Sequence, residues 1–454
     1  MRIVTLSAAL ALAACAPVPV TTTDASSDSV VPDAVVDAGP SLPSNVFALA
    51  GLDPTLPTAD LEPLGAMAQN ADVVAFGETV HTSGGFYRAK SRAIRYLVRE
   101  RGFRLVSFES PWRNAERVER YVQQCEGTAE DAARALHTIW WDRSVPELLR
   151  WMCQWNTEHP ADRVHFSGFD IRQPWTDVPA LRTYFTANAP DVSVRLVDGL
   201  ARCFGAGFSD EEMFFRDATV RAIYEGRARV SVDDNAACTQ GLAAVRDYLQ
   251  RERVRLVSAA GEGEWELARL AAVSIEGFQL AAFEAVSRRS LTRGQSGRDA
   301  AMADAFTTLR RLRFAGMRAA VWTHNLHVTH HTEALVQTPY PNAITFGTLL
   351  QRALGARYVG VAVVGYNVGY NWFEGPATLE MPSEQSVETL LHGLGLAVAW
   401  VDLRAPGARP LLDAQALYDL GPEYLAPAAH YDGLLYVDAP EGATYFTPQS
   451  PFAR

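Results

Sequence analysis

The chain has 454 residues, 48% of them apolar, which is enough to bury at least one large core and to hold two or three domains of ordinary size. Its formal charge at pH 7 is −11, from 41 Lys and Arg against 52 Asp and Glu. No block of basic residues relieves that balance, so a nucleic-acid partner is excluded on electrostatic grounds.

In chain order, the first segment reads as an address. Met1 and Arg2 precede an apolar run from Ile3 to Ala11, followed by Leu12-Ala13-Ala14-Cys15. The run is too short to span a bilayer but suits a secretory signal of residues 1–14. "LAAC" resembles a bacterial lipobox, which implies a diacylated Cys15 and an exported protein anchored in the cell envelope by lipid. Residues 15–43, rich in Pro, Ser, Thr, Val and Asp and without aromatics, are expected to be a flexible tether because they cannot bury enough apolar area to offset ordering. A folded domain is expected over 44–450.

Within that domain, six apolar runs read as strands: 72–78 (DVVAFGE), 103–110 (FRLVSFES), 163–170 (RVHFSGFD), 318–325 (RAAVWTHN), 358–366 (YVGVAVVGY) and 433–438 (GLLYVD). Most are continuous rather than alternating, as in strands covered on both faces. Residues 89–100 keep apolar positions at helical spacing and stop near Gly102, giving a strand, helix and strand in order. Between about 176 and 315 strand signals nearly vanish and long helical patterns replace them. The expected fold is α/β, a central, mostly parallel sheet flanked by helices, with a helical insertion covering the C-terminal edge of the strands.

Once Cys15 is set aside, four cysteines remain, an even number in a chain read as exported. Pairing Cys125 with Cys153 and Cys203 with Cys238 needs the least chain excursion; free buried thiols are the alternative. Tryptophans in "HTIWWDRS" and "RWMCQWN" are expected in the core, with the lining of a wide cleft as the alternative, and His330 and His331 at the surface.

Ligands of open α/β sheets collect beyond the carboxyl ends of the strands. Three of the runs end there in an acid, Glu78, Glu109 and Asp170, and a fourth delivers His324 and His327. In G-E-x-x-H, with Glu78 and His81, and in H-N-x-H the polar pair is three residues apart, within mutual reach on a helical turn. Any one such residue is usually a cap or a surface group; so many at four strand ends are hard to explain that way.

"GETVHTSGGFYRAKSRAIRYLVRERGFRLVSFESPW", "RVHFSGFDIR", "GRDAAMAD" and "AAVWTHNLHV", in that order across most of residues 70–440, resemble the erythromycin esterase family, hydrolases of a wider group that includes the TIKI-like proteins. The resemblance implies that His81 is a general base activating water, that Glu78 and Glu109 orient or polarise it, and that His324, His327 and Arg298 complete the catalytic set. It further implies that Lys90, Asp170, Asp299 and Trp112 bind substrate. The chain departs from the family at Gly85, where an acid is often found, and in "GQSG" ahead of Arg298.

Ester or lactone hydrolysis fits these residue types. Imidazole titrates near working pH, and Arg298, Lys90 or a protonated His324 could face the oxyanion. No G-x-S-x-G elbow occurs, which disfavours an acyl-serine route. No cofactor is expected on this reading. Two rivals share the residues: a Zn or Mn site built from Glu78, His81, Glu109, His324 and His327, as implied by the TIKI-like relatives, and an envelope binding lipoprotein without chemistry.

Overall fold

The computed structural model describes residues 42–447 apart from 173, 201, 204–230, 285–289, 331–341, 373–374, 406–416, 419–421 and 424–425. The signal, Cys15, nearly all of the tether and His331 lie outside the described residues. Among those described, no helix is long and apolar enough to cross a membrane.

Twelve strands are described: β1 (Val46–Ala48), β2 (Val73–Phe76), β3 (Phe103–Pro111), β4 (His165–Asp170), β5 (Arg318–Trp322), β6 (Tyr358–Val364), β7 (Gly369–Trp372), β8 (Gly375–Thr378), β9 (Val398–Asp402), β10 (Leu417–Tyr418), β11 (Pro422–Glu423) and β12 (Gly433–Val437). Eight of them form the main sheet in the order β1-β9-β12-β6-β2-β5-β3-β4, while β7 with β8 and β10 with β11 form small hairpins. From β12 to β4 every pairing is parallel, and β9 alone in the sheet runs the other way, antiparallel to both β12 and β1. All six apolar runs are strands of this sheet. The two it adds, β9 and β1, have five and three residues.

The continuous apolar runs follow from burial on both faces. Val74, Phe76, Val106, Phe108, Ala320 and Trp322 point into one core. Their alternates Val73, Ala75, Leu105, Ala319 and Val321 point into the other. Helices Gly84–Arg101, Ala115–Gln124 and Ser144–Glu158 close the first face, and Leu291–Arg313 and Phe346–Leu354 the second. Helix Gly84–Arg101 ends on left-handed Gly102, where the sequence places its stop.

Strand order decides what meets at the edge. The chain leaves β2 for β3 and β4, returns through β5 between β2 and β3, then steps across β2 to β6. This reversal makes the ends of β2, β5, β3 and β4 neighbours, a topological switch point. The expected insertion divides in two. Helices Asp177–Asn188, Pro190–Asp198, Val232–Arg251 and Glu262–Ala282 enclose a third core around Leu181, Phe185, Val245 and Ile275, whereas Leu291–Arg313 belongs to the second face of the sheet.

Disulfides join Cys125 to Cys153 and Cys203 to Cys238, with separations of 28 and 35 residues. Closing loops of that length contributes roughly 3 kcal/mol each in the chain-entropy model. Denatured, unreduced protein should therefore show none of these four thiols to a thiol reagent. Four reactive thiols would refute both bridges.

Candidate active site

The polypeptide reaches the site through a close backbone approach. A Cβ on Gly77 would lie 2.2 Å from Asn325 Oδ1 and 2.6 Å from Asn325 Cα, so only glycine lets the end of β2 pass the end of β5. Asn325 fills the gap on its other side, accepting from Val363 N at 3.0 Å and donating to Val363 O at 3.2 Å in place of a missing strand residue. Beyond Gly77 the chain runs through Glu78 to His81, then Thr82, a buried β-branched residue at φ 64°. Its left-handed backbone is held by a 2.6 Å bond from its N–H to Tyr87 Oη and by bonds to its carbonyl from Ala443 and Asn371. Strain of this kind persists only where the surroundings impose it, and here it aims His81.

His81 Nδ1 lies 2.7 Å from Glu78 Oε1, and the other Glu78 oxygen meets the Lys90 ammonium. Lys90 is fully buried, 4.2 Å over the Trp322 ring. Burial pushes Lys90 well below the usual lysine range, with Glu109 opposing. The His81 side chain keeps 18% of its surface exposed, whereas Glu78, Lys90 and Glu109 keep none. With Nδ1–H donated to Glu78, the lone pair of the neutral ring resides on Nε2. Burial, aided by Arg172, His327 and Arg298 and opposed by Glu109, pushes His81 down to about 3.

Behind this pair lies a buried ionic lattice. Arg298, on helix Leu291–Arg313, donates to Glu109 Oε1 at 2.6 Å and to Asp170 at 2.9 and 3.2 Å. Against the cost of burial, His327 and Arg298 hold Glu109 well below the usual carboxylate range, and Arg298 does the same for Asp170. Asp299 takes His327 Nδ1 at 2.9 Å, and His327 Nε2 lies 3.4 Å from Glu109 and 3.0 Å from Arg298. Burial opposes a charge on His327, but Asp299 and Glu109 outweigh it and lift the ring to about 9. The four acids Glu78, Glu109, Asp170 and Asp299 thus face Lys90, Arg298 and His327, whose Nε2 accepts from Arg298.

Several expected roles change. Lys90, Asp170 and Asp299, expected to bind substrate, are buried and engaged with Glu78, Arg298 and His327. Trp112 is buried and donates its indole N–H to Ser274 of helix Glu262–Ala282 at 2.9 Å, so it seals the helical region onto β3 instead of facing a ligand. His324 is not a protonated oxyanion donor: its Nε2 pairs with Thr79 O at 3.1 Å, its Nδ1 caps Leu326 N, and burial with its histidine neighbours pushes it well below the ordinary value. His330 is no surface residue, because it pairs with Asp432 at 2.9 Å and is largely buried. The core reading of Trp140 holds, its N–H bonding Glu109 O. Gly85 also finds a reason: a Cβ there would lie 2.5 Å from Pro440, leaving no room for an acid beneath the chain at 440–442.

Sequence reasoning missed His137, whose Nε2 bonds Asp170 at 2.9 Å, and Thr323, whose hydroxyl donates to Glu109 at 2.7 Å. Thr323 adjoins the H-N-x-H signal; His137 follows no strand and carries no spacing that would single it out. The donor set fits a metal poorly. Both His324 nitrogens are committed, and Lys90 and Arg298 occupy the positions from which a cation would meet Glu78 and Glu109. Among the described residues no three His, Cys, Asp or Glu side chains gather in a metal-holding cluster.

A mostly parallel sheet with a partly exposed histidine, acids and buried basic groups at its switch point defines an α/β protein with a candidate active site. The family model for erythromycin esterase matches residues 98–439, and the chain belongs to the erythromycin esterase family. It is 18% identical over 381 residues to erythromycin esterase type II of Escherichia coli, covering 76% of this chain and 84% of that protein. Its fold matches a mutant of erythromycin esterase EreC in its open conformation, with a TM-score of 0.73 at 17% identity over 88% of this chain and 98% of that one. A protein of Bacillus cereus matches with a TM-score of 0.70 at 18% identity over 89% and 97%.

Proposed function

We propose that this chain hydrolyses a carboxylic ester or lactone of a small molecule, with water activated by His81. The observation that carries the reading is the 2.7 Å Glu78–His81 bond on a histidine that keeps part of its surface exposed above a buried ionic lattice. In this mechanism Nε2 takes a proton from water as the oxygen attacks the carbonyl carbon. Glu78 stabilises the imidazolium, whose proton then passes to the departing alkoxide. Arg298 and His327 act from behind, by fixing Glu109 at the edge of the site. The test is turnover of lactone, acyl ester and peptide panels by the purified protein, with and without chelator. Ester or lactone cleavage indifferent to chelator is expected; peptide cleavage abolished by chelator would replace this reading with the metal-dependent one.

The pH dependence follows from the two shifted histidines. His81 must be neutral to act, and its ring is pushed down, so the acid limb of kcat/KM should fall well below the ordinary histidine value of about 6.5. His327 titrates higher, at about 9, so any change of activity that it causes belongs above the acid limb. A profile of kcat/KM with its half-point near 6.5 would show that His81 is not held in a desolvated site. The stabilisation that His327 contributes to the fold has the same sign, complete below its unfolded value and lost as pH rises through about 9.

Export with a lipid on Cys15 belongs to the same proposal, supported by "LAAC" after its apolar run and by two disulfides, which persist in oxidising compartments. Mature protein should partition into detergent, and Cys15→Ser should be released or left unprocessed. Wild-type protein found wholly in the aqueous phase would contradict it.

A further inference from the structure

On the far side of helix Gly84–Arg101, away from the ionic lattice, a cleft of about 550 Å³ opens against helix Ser144–Glu158. Arg88, Arg95, Glu147, Arg150, Trp151 and Gln154 line it, and a second hollow of about 340 Å³ continues past Trp151 and Gln154 to Trp155. The arginines of this face differ in one respect. Arg88 pairs with Glu441, Arg92 with Asp60 and Arg150 with Glu130. Arg95 is only 8% exposed, and among the described residues no carboxylate lies within 4 Å of it. One terminal nitrogen donates to the Glu147 carbonyl at 3.2 Å, and its Nε has no hydrogen-bond partner.

A buried guanidinium without a counter-ion destabilises a fold, so its retention calls for an anion from outside. The acids nearby, Asp53 and Glu147, act on Arg95 through space and form no ion pair with it: Asp53 binds Thr55 through Oδ1, and Glu147 meets Arg95 through its main chain. Burial and the like charge of Arg99 push Arg95 down to about 10, with Glu147 and Asp53 opposing too weakly to cancel the shift. Trp151 stands over Arg95 at 5.3 Å and over Arg99 at 5.4 Å, half-buried, so its ring presents an apolar plane beside positive charge. Gln154, Thr55 and Glu147 add amide, hydroxyl and carboxylate groups to the same walls.

The geometry points to a binding cleft for an acidic saccharide, its carboxylate seated on Arg95 and the C–H face of the pyranose against Trp151. The two hollows share Trp151 and Gln154, which suits a ligand of more than one ring. The site lies outside the catalytic set and does not depend on the ester chemistry.

The full chain should be titrated with trigalacturonate, maltotriose and inorganic phosphate, followed by calorimetry and tryptophan fluorescence. Trigalacturonate should bind at least tenfold more tightly than maltotriose or phosphate and perturb the fluorescence. Arg95→Met and Trp151→Ala should each weaken it at least tenfold, while Arg95→Met without ligand melts no lower than wild type because a buried charge has been removed. The proposal is overturned if trigalacturonate does not bind, if maltotriose or phosphate binds as well, if Arg95→Met retains wild-type affinity, or if Arg95→Met melts at a clearly lower temperature, which would make Arg95 a structural residue.

Discussion

Replacing His81 with Ala should lower kcat/KM by about 10² to 10⁴, the usual worth of a positioned general base, while leaving the fold intact. The fold should tolerate the change because His81 is partly exposed and its ring packs edge-on against Trp140 and His324 instead of filling the core. His81→Gln should be equally inactive, since an amide can occupy the bond to Glu78 but cannot take a proton from water. Glu78→Gln should act on the same step and also leave Lys90 without its partner, so its loss of activity should come with a loss of stability. Steady-state kinetics on any ester the wild type cleaves, together with a melting curve, separates these effects. An active His81→Ala enzyme would remove the chemistry assigned to this residue.

The largest effect on stability is expected at Arg298. Its guanidinium is buried and bonded to both Glu109 and Asp170, so Arg298→Met leaves two buried carboxylates with His137, Arg172, His327 and Thr323 among their remaining side-chain partners. Removing one partner of a buried ionic group typically costs about 3–5 kcal/mol, a large part of a total stability on the order of 5–15 kcal/mol. Arg298→Lys should not restore it, because a point-charge ammonium cannot reach both carboxylates with the geometry of a planar fork. Urea unfolding read by two probes gives the difference directly. A midpoint within experimental error of wild type would mean that the lattice behaves like an exposed ion pair and contributes little.

Much of the edge was legible before the fold was known. Glu78, His324 and His327 follow strand ends, and Glu109 and Asp170 lie in the last residues of theirs, because a run buried on both faces must stop where the sheet meets its polar edge. What could not be read was the order of the strands. Nothing local to 318–325 says that β5 slots between β2 and β3, yet that placement puts Thr323 and His324 against Glu109 and lets Asn325 bridge to Val363. The partners of Lys90, Asp170 and Asp299 could not be read for the same reason. A charged residue near an active edge looks the same in sequence whether it faces a ligand or another strand's charge. β1 and β9 were missed because three and five residues at the sheet margin carry too little pattern, and His137 because its value comes entirely from Asp170, 33 residues away.

The central claim is that water held by His81, and no side chain of the protein, attacks the ester carbonyl. It is tested most directly by quenching the enzyme in mid-turnover on a cleaved ester and measuring its intact mass, with the reaction run in ¹⁸O-water. The expected result is protein of unmodified mass and one ¹⁸O in the acid product from the first turnover onward. An acyl adduct on the protein, or a first-turnover product whose new oxygen comes from an enzyme carboxylate, would contradict it.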